Sequence, residues 1–478
     1  MNSTPYFPSW RPRLARLGQR SRQVRAANLN QLEELLQGFL PAALFDPASQ
    51  GAHSRERIFS LARTMWCFFW QVLDSNRSCR AVLRQVQALF VLKRGPHLDE
   101  NTSAYCQARS RLPLQPFQKG LLASATTADQ LAHGLGRLAG RPVKVADGST
   151  LLLADTPQNQ AAYPQPSAQQ PGCGFPIMKL VLLFSLASGA IWAVAKANKY
   201  SSERGLFRTL WDCLCLGDIL LLDRGFGDYP TLAGTQRRGV DVLARLHQSR
   251  KADFRKALPL GPQDGLFVWK KSSRRPNYLC PEEWDQLPPT LRVRIIRFAI
   301  QAPGFRPKRI SLVTTLLDPQ LYSAQALAHL FLQRWRMELC LDDLKTTLGM
   351  EHLRTKSPSM VQKELYAFLV AHNLIRCLMA HAAEQFQVDL LRVSFKGSID
   401  ALLAFSAAMA RTRQPWRKRK LLDQLLRILA TDLIPLRPNR REPRVRKRRP
   451  KDYPLMHLPR STYKRLFLHN RAHCCNFL

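Results

Sequence analysis

Three almost unbroken apolar runs, Ile177 to Leu186, Ala190 to Ala195 and Ile219 to Leu222, restrict the fold more than any other feature of the chain. A strand with one wet face alternates apolar and polar residues. Unbroken runs imply strands covered on both faces, and hence a mixed sheet with helices packed on each side. Lys179 and the Ser188-Gly189 turn signal interrupt the segment from Ile177 to Ala195, which therefore reads as two buried strands in a hairpin and not as a membrane span. The run Ile219-Leu220-Leu221-Leu222 delivers Asp223 to its carboxyl end, just before Arg224-Gly225-Phe226, where α/β folds place chemistry. A second strand, Pro142 to Ala146, is expected to end the same way at Asp147-Gly148-Ser149.

The charge narrows the class of partner. A formal net charge of +38 on 478 residues exceeds what solubility needs and suits a polyanion bound over a wide surface, with nucleic acid the first candidate. Hydrophobic content of 45% leaves ample material for a core, which excludes a disordered basic tail protein. The eleven cysteines are scattered without the paired short spacings of a zinc ribbon or finger, and read as incidental or structural thiols in a reducing cytoplasm. Met1-Asn2-Ser3-Thr4-Pro5 opens without an apolar signal segment, so no export and no membrane partner are expected.

Along the chain, residues 1–138 read as a helical, DNA-binding amino-terminal region. Leu32, Leu35, Leu36, Phe39 and Leu40 repeat at helical spacing, as do Ile58, Leu61, Met65, Phe68 and Phe69. Ser103 is expected to cap a short helix whose Gln107, Arg109 and Arg111 either reach DNA or form a solvated face. Residues 139–248 hold the first part of the α/β core. Residues 249–320 form a β-rich insertion, whose Arg292, Arg294 and Arg297 beside Trp269 and Trp284 suit either DNA backbone and unstacked bases or simple packing. Residues 321–386 complete the core with a helix bearing Glu338, and 387–478 form a helical and basic carboxyl-terminal region. The Arg/Lys/Pro-rich run from Arg437 to Lys451 is either a solvated tail or a phosphate-binding arm.

On a continuous helix, Phe331, Arg334, Glu338, Asp342 and Lys345 would share one stripe, since their offsets follow the helical period. Taken alone, such a stripe also suits a surface of i,i+4 ion pairs. In combination with Asp147 and Asp223, the chain resembles the DDE transposases of bacterial insertion sequences, in the IS-four family marked by Tyr-x2-Arg-x3-Glu-x6-Lys. Arg334, Glu338 and Lys345 match that spacing, and Phe331 stands in the place of the tyrosine, keeping the aromatic surface without the hydroxyl. Gly172-Cys173-Gly174-Phe175-Pro176, Asp223-Arg224-Gly225-Phe226, Leu353-Arg354-Thr355-Lys356-Ser357-Pro358 and the basic tail extend the likeness over nearly the whole chain.

The resemblance implies an α/β, ribonuclease-H-like catalytic core that brings Asp147 and Asp223 together beside the Glu338 helix. It implies that these three carboxylates are catalytic and hold two Mg²⁺ ions, with Mn²⁺ as a substitute. Hard cations take carboxylate oxygens, and a metal pair about 3.5–4 Å apart stabilises both the attacking and the leaving oxygen. Arg334, Lys345 and Phe331 become the DNA contacts, the arginine as a planar fork and the lysine as a point charge. The expected activity is cut-and-paste transposition: cleavage at terminal inverted repeats and strand transfer into target DNA, by a homodimer or higher multimer in the bacterial cytoplasm beside the nucleoid. A nuclease without strand transfer and a catalytically silent, transposase-derived repressor are the alternatives. Asp155, Glu203, Asp218, Asp228, Asp342 and Asp343 read as structural acids.

Overall fold

A computed structural model describes residues 31–46, 57–75, 77–92, 97–300, 308–412, 414–435 and 455–469. The basic run 437–451 lies outside them. The chain divides into two compact units, Met1–His133 with Cys340–Met350 and Gln362–Ile434, and Gly134–Leu339 with Glu351–Val361 and Pro435–Leu478.

The first unit is helical where it is described. Helices Leu61–Leu73, Cys79–Leu92, Ser103–Arg111 and Gln115–Leu131 bury Met65, Trp66, Phe68, Phe69, Phe90 and Phe117. The helix Ser103–Arg111 differs from expectation in two ways. Its N-cap is Thr102, and Ser103 Oγ instead accepts a hydrogen bond from Gln107 Nε2 at 3.0 Å. Arg109 turns inward: it donates to Gln71 at 2.9 Å and lies 4.9 Å from the Phe68 ring centroid. It therefore belongs to the packing of this unit, while Gln107 and Arg111 stay exposed. Pro358–Phe386 is the one helix among the described residues long and apolar enough to cross a membrane, and 94% of its most apolar stretch is buried inside the protein, as in a core helix.

The second unit is built on one mixed sheet. Its strands are β1 (Arg137–Leu138), β2 (Arg141–Leu153), β3 (Ile177–Ser185), β4 (Ile191–Ala197), β5 (Ile219–Leu222), β6 (Asp241–Arg245), β7 (Leu258–Gly261), β8 (Asp264–Lys270), β9 (Thr290–Ile300), β10 (Lys308–Thr314) and β11 (His352–Leu353). Their order is β4-β3-β2-β5-β6-β10-β9-β8-β7, with β1 and β11 attached to β2. Strands β2, β5 and β6 run parallel, and β3 and β4 form the expected antiparallel hairpin, turning where Gly189 takes a φ of +74°. Ile219 to Leu222 are each 0% exposed, so β5 is covered on both faces as its composition requires. One face carries Leu206, Phe207, Trp211, Tyr229 and Leu232 from helices Glu203–Arg208 and Tyr229–Gln236 and the turn between them, packed on Ala146, Leu220, Leu222 and Val242. Helix Ala324–Gln333 also packs against β6.

One expectation changes here. Strand β2 does not stop at Asp147; it runs to Leu153 because β3 supplies ladder partners as far as Leu152. The β-rich insertion joins the central sheet. Strand β10 pairs antiparallel with β6, so β7 to β10 extend the central sheet. Its aromatic and cationic residues are largely internal. Arg294, 1% exposed, makes a double hydrogen bond to Asp264 at 2.8 and 2.5 Å and donates to the Tyr322 carbonyl at 2.6 Å. Trp269 and Trp284 are buried beneath Arg250 and Lys271, at 3.9 and 4.8 Å from the ring centroids. Arg297 bonds Ser311 and lies over Phe254, which leaves Arg292 as the exposed member of the trio.

Candidate active site

Register brings the two aspartates together. Ala146 on β2 pairs with Leu222 on β5, which pairs with Ala244 on β6. One residue further along the chain from that last paired rung stand Asp147, Asp223 and Arg245, just past the end of the parallel ladder. Side chains alternate along a strand, so Asp147 and Arg245 share a face with Val145 and Leu243, opposite Ala146 and Ala244. Asp147 thus lies in the middle of a long strand but at the carboxyl edge of its parallel section.

The third carboxylate arrives on a broken helix. Helix Ala324–Gln333 ends before Arg334, and Trp335–Asp342 begins after it. Hydrogen bonds from Arg334 N to Phe331 O at 3.1 Å and from Met337 N to Arg334 O at 3.0 Å tighten the chain into i to i+3 turns at the break. Past Asp342 the coil widens into a π-helical turn, Asp343–Thr347, closed by Leu348 N to Asp343 O at 2.9 Å. The single stripe from Phe331 to Lys345 therefore does not exist as one continuous α-helical face. Lys345 lies in this π turn, within the segment Cys340–Met350 of the helical unit. Phe331 is 7% exposed, packed inside rather than presented outward.

Arg334 occupies the centre of the site. Its guanidinium donates to Glu338 Oε1 at 2.7 Å and lies 3.9 Å from Asp147 Oδ2, with 14% of the side chain exposed. Asp147 Oδ1 also accepts from the Gly148 amide at 2.9 Å. Burial pushes the Asp147 carboxyl above the usual carboxylate range. Arg334 and the Gly148 N–H pull it back, while Glu338 and Asp223 push it further up, so all three acids share one electrostatic field. Arg245 joins them unforeseen: burial lowers its pKa, with Arg224 and Arg334 adding repulsion and Asp223 opposing it. Its one sequence signal is position, since it closes the apolar run Val242 to Ala244 as Asp223 closes Ile219 to Leu222.

The donor chemistry fits hard divalent cations: three carboxylates, two on adjacent strands, in a half-buried place where cationic charge would offset their mutual repulsion. Among the described residues, no three His, Cys, Asp or Glu side chains stand close enough together to hold one ion as they are. Glu338 is engaged with Arg334, and releasing it is the rearrangement that a shared metal requires.

The other acids have separate work. Asp218 and Lys144 form a buried ion pair at 2.8 Å, and Asp228 caps the helix Tyr229–Gln236. Glu203 is closer to the site than its reading as a structural acid implied: a Cβ built on Gly148 would meet its carboxylate carbon at 3.2 Å. The two flanking motifs meet at the far end of β2. Leu353 pairs with Leu153, Asn159 Nδ2 donates to Thr355 O at 3.0 Å, Thr156 Oγ1 donates to Lys356 O at 2.8 Å, and Phe175 stands edge-on to His352.

Residues 138–374 match the family of transposase DDE domains. The chain is 25% identical over 406 residues, 84% of its length and 88% of the relative's, to the transposase InsG for insertion sequence element IS4 of Escherichia coli strain K12. A solved structure of piggyBac transposase in a synaptic complex with hairpin DNA shares 10% identity at a TM-score of 0.39, covering 86% of this chain and 85% of that one. The chain belongs to the IS4-family DDE transposases.

Proposed function

We propose that the protein cleaves DNA at the terminal inverted repeats of its element and joins the released ends to target DNA, with Asp147, Asp223 and Glu338 holding divalent metal ions, Mg²⁺ or Mn²⁺. The observation that carries this reading is that Asp147 and Asp223 each follow the last paired rung of β2 and β5 and act on one another electrostatically, with Arg334 linking Asp147 to Glu338. The strand order β4-β3-β2-β5-β6, with β3 antiparallel to a parallel β2, β5 and β6, supports a ribonuclease-H-like core.

Bound ions would lower the pKa of water and offset charge on the attacking and leaving oxygens. The chain supplies the rest. Asp147 and Asp223 anchor the reacting phosphate's place at the sheet edge, and Glu338 orients the nucleophile. In cleavage, a water oxygen bonds to phosphorus, the bond to the 3′ oxygen breaks, and that oxygen leaves with a proton. In joining, the 3′ hydroxyl attacks a target phosphodiester in the same way. Arg334 and Arg245 grip phosphate oxygens beside the scissile bond. Lys345 takes a phosphate contact on the strength of the motif spacing alone. The partners are double-stranded terminal and target DNA and further copies of this chain.

Asp147→Asn, Asp223→Asn and Glu338→Gln each remove ligand charge with little change of shape. Each is expected to abolish Mg²⁺- and Mn²⁺-dependent nicking of terminal-repeat DNA while leaving DNA binding in place. Wild-type cutting by any of the three would reject its role. Binding without nicking by the folded native protein would favour a repressor, and cutting without joining a nuclease.

A further inference from the structure

A cavity of about 790 Å³ opens at the sheet rim, and Lys179, Glu203, Arg204, Arg274, Arg275 and Tyr278 are among the residues that line it. Two glycines link it along the chain to the candidate acids: Gly225, in its wall, follows Asp223 by two residues, and Gly148, against which Glu203 packs, follows Asp147 by one. Lys179 and Gly148 share the sheet face that Asp147 does not use, since Lys179 pairs with Thr150 and side chains alternate.

Three of the four cations here have no carboxylate salt-bridge partner among the described residues. Lys179 Nζ donates to the Ser201 carbonyl at 3.0 Å, Arg275 donates to the Leu279 carbonyl, and the exposed Arg274 side chain has no ion-pair partner among the described residues. Arg204 is held by the Gly225 carbonyl at 2.7 Å and by Asp228 at 3.5 Å. Neutral acceptors fix Lys179 and Arg275 without cancelling their charge, and with Arg274 they leave the cavity cationic despite Glu203 and the pairing of Arg204 with Asp228. The Tyr278 hydroxyl is tied to Asp228 at 2.5 Å, which fixes a half-exposed ring on the wall. Cations along a groove with an aromatic face are the elements of single-strand recognition. The volume is that of a small-ligand site, suited to a nucleotide or two and too small for a duplex.

We propose that this cavity binds the phosphates of a short unpaired DNA stretch continuous with the strand whose phosphodiester lies at Asp147 and Asp223. The inference rests on the proposed DNA chemistry of that site and adds a second, single-stranded contact to it.

The test is fluorescence anisotropy on the full chain in the presence of a metal chelator, so that it does not depend on catalysis. It compares a blunt terminal-repeat duplex with the same duplex carrying a short unpaired extension. For Arg274→Gln/Arg275→Gln, affinity for the extended duplex should fall about tenfold, and the slope of log affinity against log salt should shrink by about 1.4, from about 0.7 per single-strand phosphate contact. Affinity for the blunt duplex should stay unchanged. Arg274→Glu, at an exposed position that does not threaten folding, should show the same selectivity. Equal losses on both duplexes, no loss on either, or tighter binding of a free deoxynucleoside diphosphate than of the extended duplex would overturn the proposal. Selective loss in a protein that never nicks DNA would uphold this subsite and reject the catalytic reading, and the two are thereby separated.

Discussion

Removing the Arg334 guanidinium should strengthen metal binding even as it weakens DNA cleavage. In the structure this cation already holds the two proposed ligands, at 2.7 Å from Glu338 and 3.9 Å from Asp147. A hydrogen bond to a charged group is worth about 1.5–3 kcal/mol where it is sheltered. The Glu338 side chain is 35% exposed, so solvent screening reduces this to about 1–1.5 kcal/mol. Freed of that competitor, Glu338 can turn to an ion at no such cost, and 1.4 kcal/mol corresponds to tenfold in affinity. Arg334→Gln, which keeps length and polarity, should therefore bind Mn²⁺ about five- to tenfold more tightly without DNA, as read from the free-Mn²⁺ paramagnetic resonance signal in a titration. The same variant should lose cleavage, since the planar phosphate grip is gone. Unchanged or weaker Mn²⁺ binding by the folded variant would refute the competition and leave Arg334 as an ordinary surface ion pair.

Two further perturbations test the framework around the site. Asp264→Leu leaves the Arg294 cation buried without its partner, which costs about 3–5 kcal/mol and should lower the melting temperature of the second unit by about 10 °C in circular dichroism. Adding Arg294→Met should restore most of the loss, and a near-neutral single variant would show that the pair carries no such weight. In the helical unit, burial pushes the Asp343 carboxyl up to about 6, with Arg376 pulling it down from 2.7 Å and Asp342 adding to the rise. Its folded pKa lies above the unfolded value of about 4, so the folded state holds that proton more tightly. Its contribution is then greatest below about pH 4 and is lost as pH rises towards 6. Asp343→Asn should flatten the pH dependence of urea midpoints across that window relative to wild type, and an equally steep curve would contradict the assignment.

What the sequence made legible was set by burial on two sides. Ile219 to Leu222 could only be a covered strand, and a carboxylate at its end followed directly. The extent of β2 was hidden because Gly148-Ser149 looks like a turn, while the pairing that overrides it comes from β3, remote in sequence. Arg294 could not be told from Arg292, since both sit in an alternating strand and the deciding partner, Asp264, lies on a neighbouring strand. The helix break at Arg334 carries no glycine or proline to announce it and arises from tight turns in place. Arg245 escaped notice because its meaning depends on which strand lies next to β5.

The continuity of β10 with β6 has a consequence for anyone wishing to shorten this protein. The segment from β7 to β10 seals the hydrogen-bonding edge of β6, two strands away from Asp147. Excising it would leave an apolar, unpaired backbone edge open to recruitment by another chain, so that a trimmed enzyme would be a template for aggregation before it was a smaller catalyst.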